Sequence, residues 1–408
     1  MRQAPMTTSR TDDTLHHYEW LLTTHGEALM SEARHRLDAG EAVLRVSEVL
    51  RREHDPASVA LVITQVELRA QARNKFADAD RLVFTREGLE QATSDPIAAH
   101  RARRYEPFGR IIDLCCGIGG DLMALAALPG DRSLVAVDLD AVHLLLARHN
   151  VGVVAPDANL TVIEDNVRNV DITASDAVFI DPARRDTRGR LGGVSSEPPL
   201  AWAIGLADRA AGVGIKTAPG IPHELVPDDW ELETIALGNE LKEAVLWSPA
   251  LASSRRTATI IDDWGTHQLR PVTGDPVTVV EPAPDTWLLD PNPAVTRAGL
   301  VEDLARSVGA SKIDDEIGFL VADHPVESPF ARALPIIDAM PWHEKRLKKR
   351  LQDLGAGPID VRRRGLAGDV AAITKRLRGK GDRRMIVAMT RYRGEPWAIL
   401  CDIPESHG

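Results

Sequence analysis

The spacing of hydrophobic residues changes along the chain and predicts a different structure for each region. From Leu15 to about Ala70, apolar residues recur at intervals of three and four, which predicts helices. Over residues 106–265, short apolar and β-branched runs alternate with helical segments, a pattern typical of a parallel α/β sheet with helices on both faces. The predicted strands are 110–114, 134–137, 160–163, 177–180, 212–216, 244–246 and 257–261. We therefore predict a Rossmann-like α/β fold with a seven-stranded sheet, and a closing hairpin where residues 248–256 join the last two strands.

The last third of the chain follows a different pattern. Six prolines between Pro271 and Pro293 indicate a linker or an extended wrap, and residues 293–308 are predicted to form a helix. A compact α+β segment follows, with helices at 342–354 and 369–378 and strands at 359–363, 385–391 and 395–401. The predicted organisation is an N-terminal helical region (1–105), the α/β sheet domain (106–265), a linker and helical connector (266–329) and a C-terminal α+β domain (330–408).

Composition places the protein among soluble globular chains. It has 408 residues, of which 44% are hydrophobic and 27% charged, and no apolar stretch of about 18 residues that could span a membrane. The polar residues 1–13 do not resemble a secretory signal. The three cysteines, Cys115, Cys116 and Cys401, provide neither a disulfide framework nor the spacing of a zinc site. We expect a cytoplasmic protein without a bound metal or a membrane partner.

The charge is distributed unevenly, which changes what it implies about partners. A net charge of −11 argues against nucleic-acid binding if it is spread evenly. Residues 341–393, however, contain sixteen Lys or Arg and five Asp or Glu, a net charge of +11 that leaves −22 for the remainder. We predict that this segment contacts RNA phosphates, through Arg362, Arg363 and Arg364 among others. The alternative is a solvated basic face.

A glycine-rich turn follows the first predicted strand. Gly117, Gly119 and Gly120 let the backbone approach a ligand closely, although a tight turn without a ligand is the alternative. Asp113, inside the strand, suits a cationic amino-acid ligand better than a pyrophosphate. Asp138 ends the second strand 21 residues after Gly117, a position that suits a carboxylate binding ribose hydroxyls.

Two further strands end in candidate ligand-binding residues. Asp165 and Asn166 end the third strand and could bind an adenine amino group, although Asp165 could equally be a helix cap. The fourth strand ends in Asp181 and Pro182, at the edge where open α/β sheets bind ligands. Beyond it, Arg184 and Arg185, with Arg188 and Arg190, could receive a phosphate or a carboxylate or belong to a solvated loop. Lys216, which ends the fifth strand, points either into the same cleft or to the surface.

Together these motifs resemble the class I S-adenosylmethionine (SAM) methyltransferases. The resemblance covers about residues 85–185 and is most similar to the trimethylguanosine synthase-like branch of RNA guanine-N2 methyltransferases. It rests on the runs Asp113-x-x-Cys116-Gly117-x-Gly119-Gly120-Asp121, Val137-Asp138-Leu139-Asp140 and Ala147-Arg148-His149-Asn150, and on Glu90–Ser94 with Ile97-Ala98-x-His100 upstream. It implies that Asp113, Cys116 and the three glycines bind the methionine part of SAM, Asp138 the ribose, and Asp165 with Asn166 the adenine, while Thr93 helps to close the site.

The resemblance also implies a role for the end of the fourth strand. In amino-directed SAM methyltransferases, an Asp or Asn followed by Pro accepts hydrogen bonds from the target amine, which assigns Asp181 and Pro182 to catalysis. The sequence departs from the guanine-N2 pattern, because Ala183 and Arg184 replace a proline and an aromatic residue that stacks on the base. The same Asp-Pro-Ala-Arg string occurs in 5-methyluridine RNA methyltransferases. Their route needs a cysteine nucleophile after the fifth strand, and residues 216–220 contain none.

The C-terminal segment from Leu334 to Leu400 resembles the THUMP-like domain that follows bacterial SAM methyltransferases. THUMP domains bind RNA in modification enzymes. The favoured hypothesis is therefore a SAM-dependent methyltransferase that modifies a base nitrogen in tRNA or rRNA. Two alternatives remain open: a protein or small-molecule methyltransferase, and a SAM-binding RNA-binding protein that lacks catalysis, as the missing aromatic residue suggests.

Overall fold

The computed structural model describes residues 8–184 and 196–403, which form two compact units. The first unit extends to Thr217 and also includes Leu246–Leu251. The second comprises Ala218–Val245 and the chain from Ala252 onward. The helical N-terminal region and the predicted glycine turn therefore belong to the same unit.

The first unit begins with six helices, which confirm the helical prediction for this part of the chain. They are α1 (Thr8–Leu21), α2 (Thr24–Asp38), α3 (Val43–Leu50), α4 (Pro56–Ala72), α5 (Arg86–Gln91) and α6 (Asp95–Ala102). Asp55 caps α4 by accepting hydrogen bonds from the backbone N–H groups of Ala57 and Ser58, both at 2.9 Å. The first three helices all pack against α4, whose Val59 and Val62 are fully buried.

A parallel sheet forms the core of the first unit. Its elements are β1 (Arg110–Leu114), α7 (Gly120–Ala126), β2 (Ser133–Asp138), α8 (Ala141–Val154), β3 (Asn159–Glu164), β4 (Ala177–Ile180), β5 (Ala183–Arg184), β6 (Ser196–Glu197), α9 (Leu200–Ile204) and β7 (Gly212–Thr217). The strand order is β7-β4-β1-β2-β3 with every pair parallel, while β5 and β6 form a separate antiparallel pair. All four residues of β4 are buried, as expected for a central parallel strand.

A buried asparagine connects the helical region with the sheet. Asn150 on α8 accepts a hydrogen bond from the N–H of Val83 at 2.9 Å and donates to the carbonyls of Val83 and Ile118, both at 3.0 Å. Ile118 lies in the glycine turn. The side chain is fully buried, and these bonds compensate for its removal from water.

The first strands of the second unit differ from the sequence predictions in their pairing and in their number. Its first four are β8 (Glu231–Leu237), β9 (Glu240–Trp247, whose last two residues belong to the first unit), β10 (Arg256–Asp262) and β11 (Gly265–Leu269), in the order β11-β10-β8-β9. The predicted hairpin between the last two strands, β9 and β10, is wrong. Instead, β10 pairs in parallel with β8 and forms its hairpin with β11. In the described part of 110–269 there are nine strands besides the β5–β6 pair, rather than seven.

The rest of the second unit, as far as residue 403, forms another sheet together with four helices. Its elements are β12 (Trp287–Pro291), α10 (Pro293–Ala298), α11 (Val301–Val308), β13 (Ser311–Lys312), β14 (Leu320–Ala322), β15 (Ala331–Pro341), α12 (Glu344–Asp353), β16 (Ala356–Arg363), α13 (Val370–Leu377), β17 (Arg383–Tyr392) and β18 (Glu395–Asp402). The strand order is β13-β14-β12-β15-β18-β17-β16. The single helix predicted at 293–308 is wrong, because Gly299 adopts φ +72° and ends α10.

The C-terminal helices and strands confirm the α+β elements predicted from 342 to 401. Leu347 and Leu351 lie four residues apart on α12 and are fully buried with Ile373 and Leu377 of α13. These side chains share a hydrophobic core with residues of β16, β17 and β18. Both helices thus bury one apolar face and leave their basic residues in solvent.

Candidate active site

The candidate site lies in the first unit, where the carboxyl ends of neighbouring parallel strands meet. Asp138 ends β2, Asp181 directly follows β4, and Lys216 is the penultimate residue of β7. Asp113 lies one residue before the end of β1, which is paired with both β2 and β4. The strand pairing therefore gathers the predicted residues at one edge of the sheet, as in other open α/β folds.

The turn after β1 has the conformation that its glycines predict. Gly119 adopts φ +88°, and a Cβ atom there would lie 3.1 Å from Cα of Ala147 on α8. Gly117 also has a positive φ, and Cys116 is buried with its N–H donating to the carbonyl of Val137 at 3.2 Å. The turn thus packs closely against α8 at Ala147.

Asp113 is a buried carboxylate with an unsatisfied oxygen. Its side chain is 1% exposed, and among the described residues Oδ2 has no hydrogen-bond partner. Burial raises the pKa of Asp113 well above its usual value, and the nearby carboxylates of Asp121 and Asp181 raise it further. A cationic ligand group would supply the missing partner and favour the ionised form.

Asp138 is held in the ionised form at the end of β2. Oδ2 accepts a hydrogen bond from the N–H of Gly117 at 2.9 Å, and Oδ1 accepts one from the N–H of Asp140 at 3.0 Å. Burial raises the pKa of Asp138, but these bonds and His143 outweigh burial and bring it below its usual value. Leu139, between Asp138 and Asp140, is 70% exposed, so an apolar side chain lies at the surface beside these aspartates.

Asp165 and Asn166 are engaged in local hydrogen bonds. Asp165 Oδ1 accepts from the N–H of Asn166 at 2.6 Å and from Asn169 Nδ2 at 2.8 Å. Asn166 caps the short 3₁₀ turn that follows by accepting from the N–H of Arg168 at 3.0 Å. The backbone N–H of Asp165 donates to the carbonyl of Asp138 at 3.2 Å, so both residues lie beside the end of β2.

Asp181 is paired with Lys216, which points into the cleft. Lys216 Nζ donates to Asp181 Oδ2 at 2.6 Å and to Thr93 Oγ1 at 3.0 Å. The lysine side chain is 12% exposed and that of Asp181 is 33% exposed. Among the described residues, Asp181 Oδ1 accepts no hydrogen bond. Pro182 is buried beside it.

Sequence reasoning missed Arg101, which supports Thr93. The guanidinium is 2% exposed, donates from Nη2 to Thr93 Oγ1 at 2.9 Å, forms an ion pair with Asp121, and lies 4.7 Å from the ring centre of Phe179. Thr93 in turn donates to Asp121 Oδ2 at 3.2 Å. No motif singles out an arginine in α6, because these contacts depend on how the helix packs.

The predicted basic residues after Asp181 are only partly described. Ala183 and Arg184 of β5 pair with Glu197 and Ser196 of β6. The side chain of Arg184 and the whole of Arg185, together with Arg188 and Arg190, lie outside the described residues.

The three predicted RNA-contacting arginines of the second unit differ in their surroundings. Arg362 and Arg363 are exposed; Arg362 pairs with Asp360 at 3.3 Å, and Arg363 donates to the carbonyl of Gly368 at 2.8 Å. Arg364 is half-buried, donates to Asp290 Oδ1 and to the carbonyl of Pro291, both at 2.8 Å, and lies 5.1 Å from the ring centre of Phe319. These contacts give Arg364 a structural role, and its assignment as an RNA contact has no support in this geometry.

Metal-binding clusters and membrane-spanning helices are both absent from the part of the chain that the structure describes. Residues 8–184 and 196–403 contain no group of three or more His, Cys, Asp or Glu side chains that could hold a metal ion. In the same ranges, no helix combines the length and apolar character needed to cross a bilayer.

Comparison with known proteins identifies relatives of most of the chain. Residues 331–402 match the family described as THUMP domain-like, and residues 13–72 match a domain of unknown function, DUF8688. Uncharacterized S-adenosylmethionine-dependent methyltransferases from two Mycobacterium tuberculosis strains, CDC 1551 / Oshkosh and H37Rv, are each 36% identical over 339 residues. The match covers 79% of this chain and 90% of each relative.

A solved structure shares the fold along nearly the full length. The crystal structure of a Porphyromonas gingivalis W83 protein described as a methyltransferase aligns with a TM-score of 0.74 at 19% identity, covering 93% of this chain and 98% of that one. The predicted fold class and the THUMP-like C-terminal domain are thus confirmed, and the cofactor is S-adenosylmethionine. The identity to the mycobacterial relatives shows that the chain belongs to the family of S-adenosylmethionine-dependent methyltransferases.

Proposed function

We propose that the protein transfers the methyl group of SAM to a base nitrogen in RNA, either tRNA or rRNA, in the cytoplasm. The observation that carries this proposal is the carboxylate of Asp181 at the open edge of the sheet. One of its oxygens is bound by Lys216, while Oδ1 accepts no hydrogen bond from the described residues. The remaining oxygen can accept an N–H of an acceptor amine and orient its lone pair.

The cofactor assignments follow the residues at the same edge. The unsatisfied oxygen of Asp113 suits the α-ammonium of SAM, and the turn Gly117–Gly120 suits close backbone contact with the methionine. Asp138 would bind the ribose, with Asp165 and Asn166 beside the adenine. Thr93 closes the site over the glycine turn.

The chemistry requires little of the protein beyond position and charge. SAM supplies a methyl group already activated by its sulfonium. Asp181 holds the acceptor nitrogen in line with that methyl group, and buried Pro182 fixes the backbone of the aspartate. The hydrogen bond from Lys216 to Oδ2 fixes the orientation of the Asp181 side chain.

The second unit supports RNA as the substrate. Residues 341–393, which lie within its THUMP-like segment, carry the net charge of +11, and basic side chains on α12 and α13 are solvent-exposed. A phosphate backbone is the polyanion that such a surface fits best. The free thiols of Cys115, Cys116 and Cys401 agree with a reducing compartment.

Label transfer from methyl-labelled SAM tests this function. The full-length protein is incubated with total RNA from cells that lack it, and the RNA is digested to nucleosides. We expect label in one N-methylated nucleoside, and none in RNA from cells that contain the protein. Asp181→Asn should reduce transfer by at least about 100-fold, because the acceptor is no longer held in line. The rise in melting temperature on adding SAM should persist in that variant.

Asp171→Asn, a surface substitution in the same unit, provides the matched control and should leave transfer unchanged. Label in protein rather than RNA would replace the RNA hypothesis with protein methylation. SAM binding without transfer to either class would identify a non-catalytic SAM-binding protein instead.

A further inference from the structure

Lys216 is an inward-pointing lysine at the ligand-binding edge of the sheet. Its ammonium donates to Thr93 Oγ1 at 3.0 Å and to Asp181 Oδ2 at 2.6 Å, and the side chain is only 12% exposed. Lysine is rarely buried to this extent unless its charge is paired. Its position therefore connects two parts of the site, the Thr93 hydroxyl and the acceptor-facing carboxylate.

Thr93 lies directly against the glycine turn. A Cβ atom on Gly120 would be 3.3 Å from the backbone nitrogen of Thr93. Two cationic groups converge on its hydroxyl, because Arg101 Nη2 also donates to it at 2.9 Å. Positive charge is thus concentrated beside the turn that receives the methionine part of SAM.

The charges of the site complement those of the cofactor. With Asp113 ionised, as a bound cation would favour, Asp113, Asp121 and Asp181 face Arg101 and Lys216, which gives these five groups a net charge of −1. The methionine part of SAM carries an ammonium, a sulfonium and a carboxylate, a net charge of +1. Asp113 offers the unsatisfied acceptor for the ammonium, so the α-carboxylate needs a cation elsewhere in the site.

Lys216 is the better placed of the two cations for this role. Arg101 is 2% exposed, stacked on Phe179 and paired with Asp121, so its guanidinium is enclosed by the protein. Lys216 is more exposed, and the ammonium ends a flexible four-carbon chain that can adjust to a ligand. We propose that Lys216 binds the α-carboxylate of SAM and that it thereby links cofactor binding to the position of Asp181. This inference rests on the cofactor and not on the proposed RNA substrate.

Binding of two cofactor forms to the full-length protein tests the inference. Isothermal titration calorimetry compares SAM with decarboxylated SAM, which keeps the ammonium and the sulfonium but lacks the carboxylate. The wild-type protein should prefer SAM by about 10- to 100-fold, the range of a charge-assisted hydrogen bond. Lys216→Met should lose that preference through weaker binding of SAM, while decarboxylated SAM is bound at least as tightly as by the wild type, because the variant removes a positive charge from the site.

Two further variants separate charge from structure. Lys216→Arg keeps the charge and should retain most of the preference. Lys216→Gln keeps a hydrogen-bond donor for Asp181 and Thr93 but removes the charge, so it should lose the preference for SAM as Lys216→Met does. If Lys216→Met fails to fold, Lys216→Gln still provides the test. Lys242→Met, which removes a lysine paired with exposed Glu240, is the control and should bind both ligands as the wild type does.

An equal loss of affinity for SAM and for decarboxylated SAM in Lys216→Met and Lys216→Gln would overturn the inference. It would show that Lys216 acts only by supporting the fold around Asp181. An unchanged preference in the two variants would overturn it as well. Neither outcome depends on whether methyl transfer to RNA is observed.

Discussion

Asp113 illustrates how single residues in this site are prepared for a charged ligand. In the ligand-free protein, burial raises the pKa of its carboxyl group, so the folded state favours the protonated form. Between the unfolded-state pKa of about 3.9 and the raised folded-state pKa, the native state binds more protons than the unfolded state. This group therefore lowers the free energy of unfolding as pH rises through that window.

We predict that Asp113→Asn increases the stability of the ligand-free protein but weakens the binding of SAM. Without ligand, the variant should gain stability over the wild type as pH rises from about 4 to 8, because no carboxyl group has to ionise in the core. Its affinity for SAM should fall by about 10- to 100-fold, because the ammonium loses a charged partner. Urea unfolding at several pH values and calorimetric titration with SAM measure the two effects. A stability difference that is the same at every pH would contradict the prediction.

Sequence alone identifies the aspartates of the site but not their cationic partners. Asp138 and Asp181 could be predicted because each follows an apolar run that can only be a buried strand. Arg101 could not, because its contact with Asp121 depends on how α6 packs beside the glycine turn. The direction of Lys216 was undecided, because period-two alternation does not determine which way a side chain turns at the end of a strand.

Among the secondary-structure elements, the turn between β1 and α7 depends most on residue type. We predict that Gly119→Ala lowers the free energy of unfolding by about 1–3 kcal/mol, because a side chain is strained at positive φ and its Cβ would lie close to the backbone of Ala147. Gly152→Ala is the matched control: Gly152 lies within α8 with nothing within 4 Å of its Cβ position. Gly152→Ala should instead raise the free energy of unfolding by about 0.5–1 kcal/mol. Urea unfolding measures the free energy of unfolding of both variants. An equal decrease in the two variants would contradict the prediction.

The sequence analysis missed strand β8 for a physical reason. β8 contains Glu231 and Glu233, which are fully buried although their charge breaks the apolar run expected of an internal strand. They accept hydrogen bonds from Thr257 and Thr259 of β10, both at 2.5 Å. Because β8 lies between β9 and β10, overlooking it produced the incorrect hairpin. Tertiary hydrogen bonds of this kind leave no periodic signal in the chain.

At the scale of the whole molecule, the net charge of −11 is the sum of an acidic body and a basic C-terminal segment. We predict that reversing Arg362 and Arg363 together to Glu weakens RNA binding and reduces the slope of log affinity against log salt by about 1–2, because fewer phosphates are neutralised. Filter binding between 50 and 200 mM salt, roughly the range where such slopes are measured, provides the test.

The control for this prediction reverses two exposed arginines elsewhere in the chain. Arg209→Glu with Arg255→Glu makes the same change in net charge outside the THUMP-like segment. It should leave the salt slope unchanged. An equal loss of slope in both double variants would show that the overall charge, rather than this surface, governs RNA binding.

The hydrogen bonds of Asn150 have a consequence for dissecting the chain. One amide group serves both the segment that follows the first four helices and the glycine turn that we propose receives the cofactor. Excising the residues before 84 would remove two of the three hydrogen bonds of this amide and uncover the part of α8 that packs against α1. The helical region thus supports the turn after β1, and we expect a minimal active fragment to retain it.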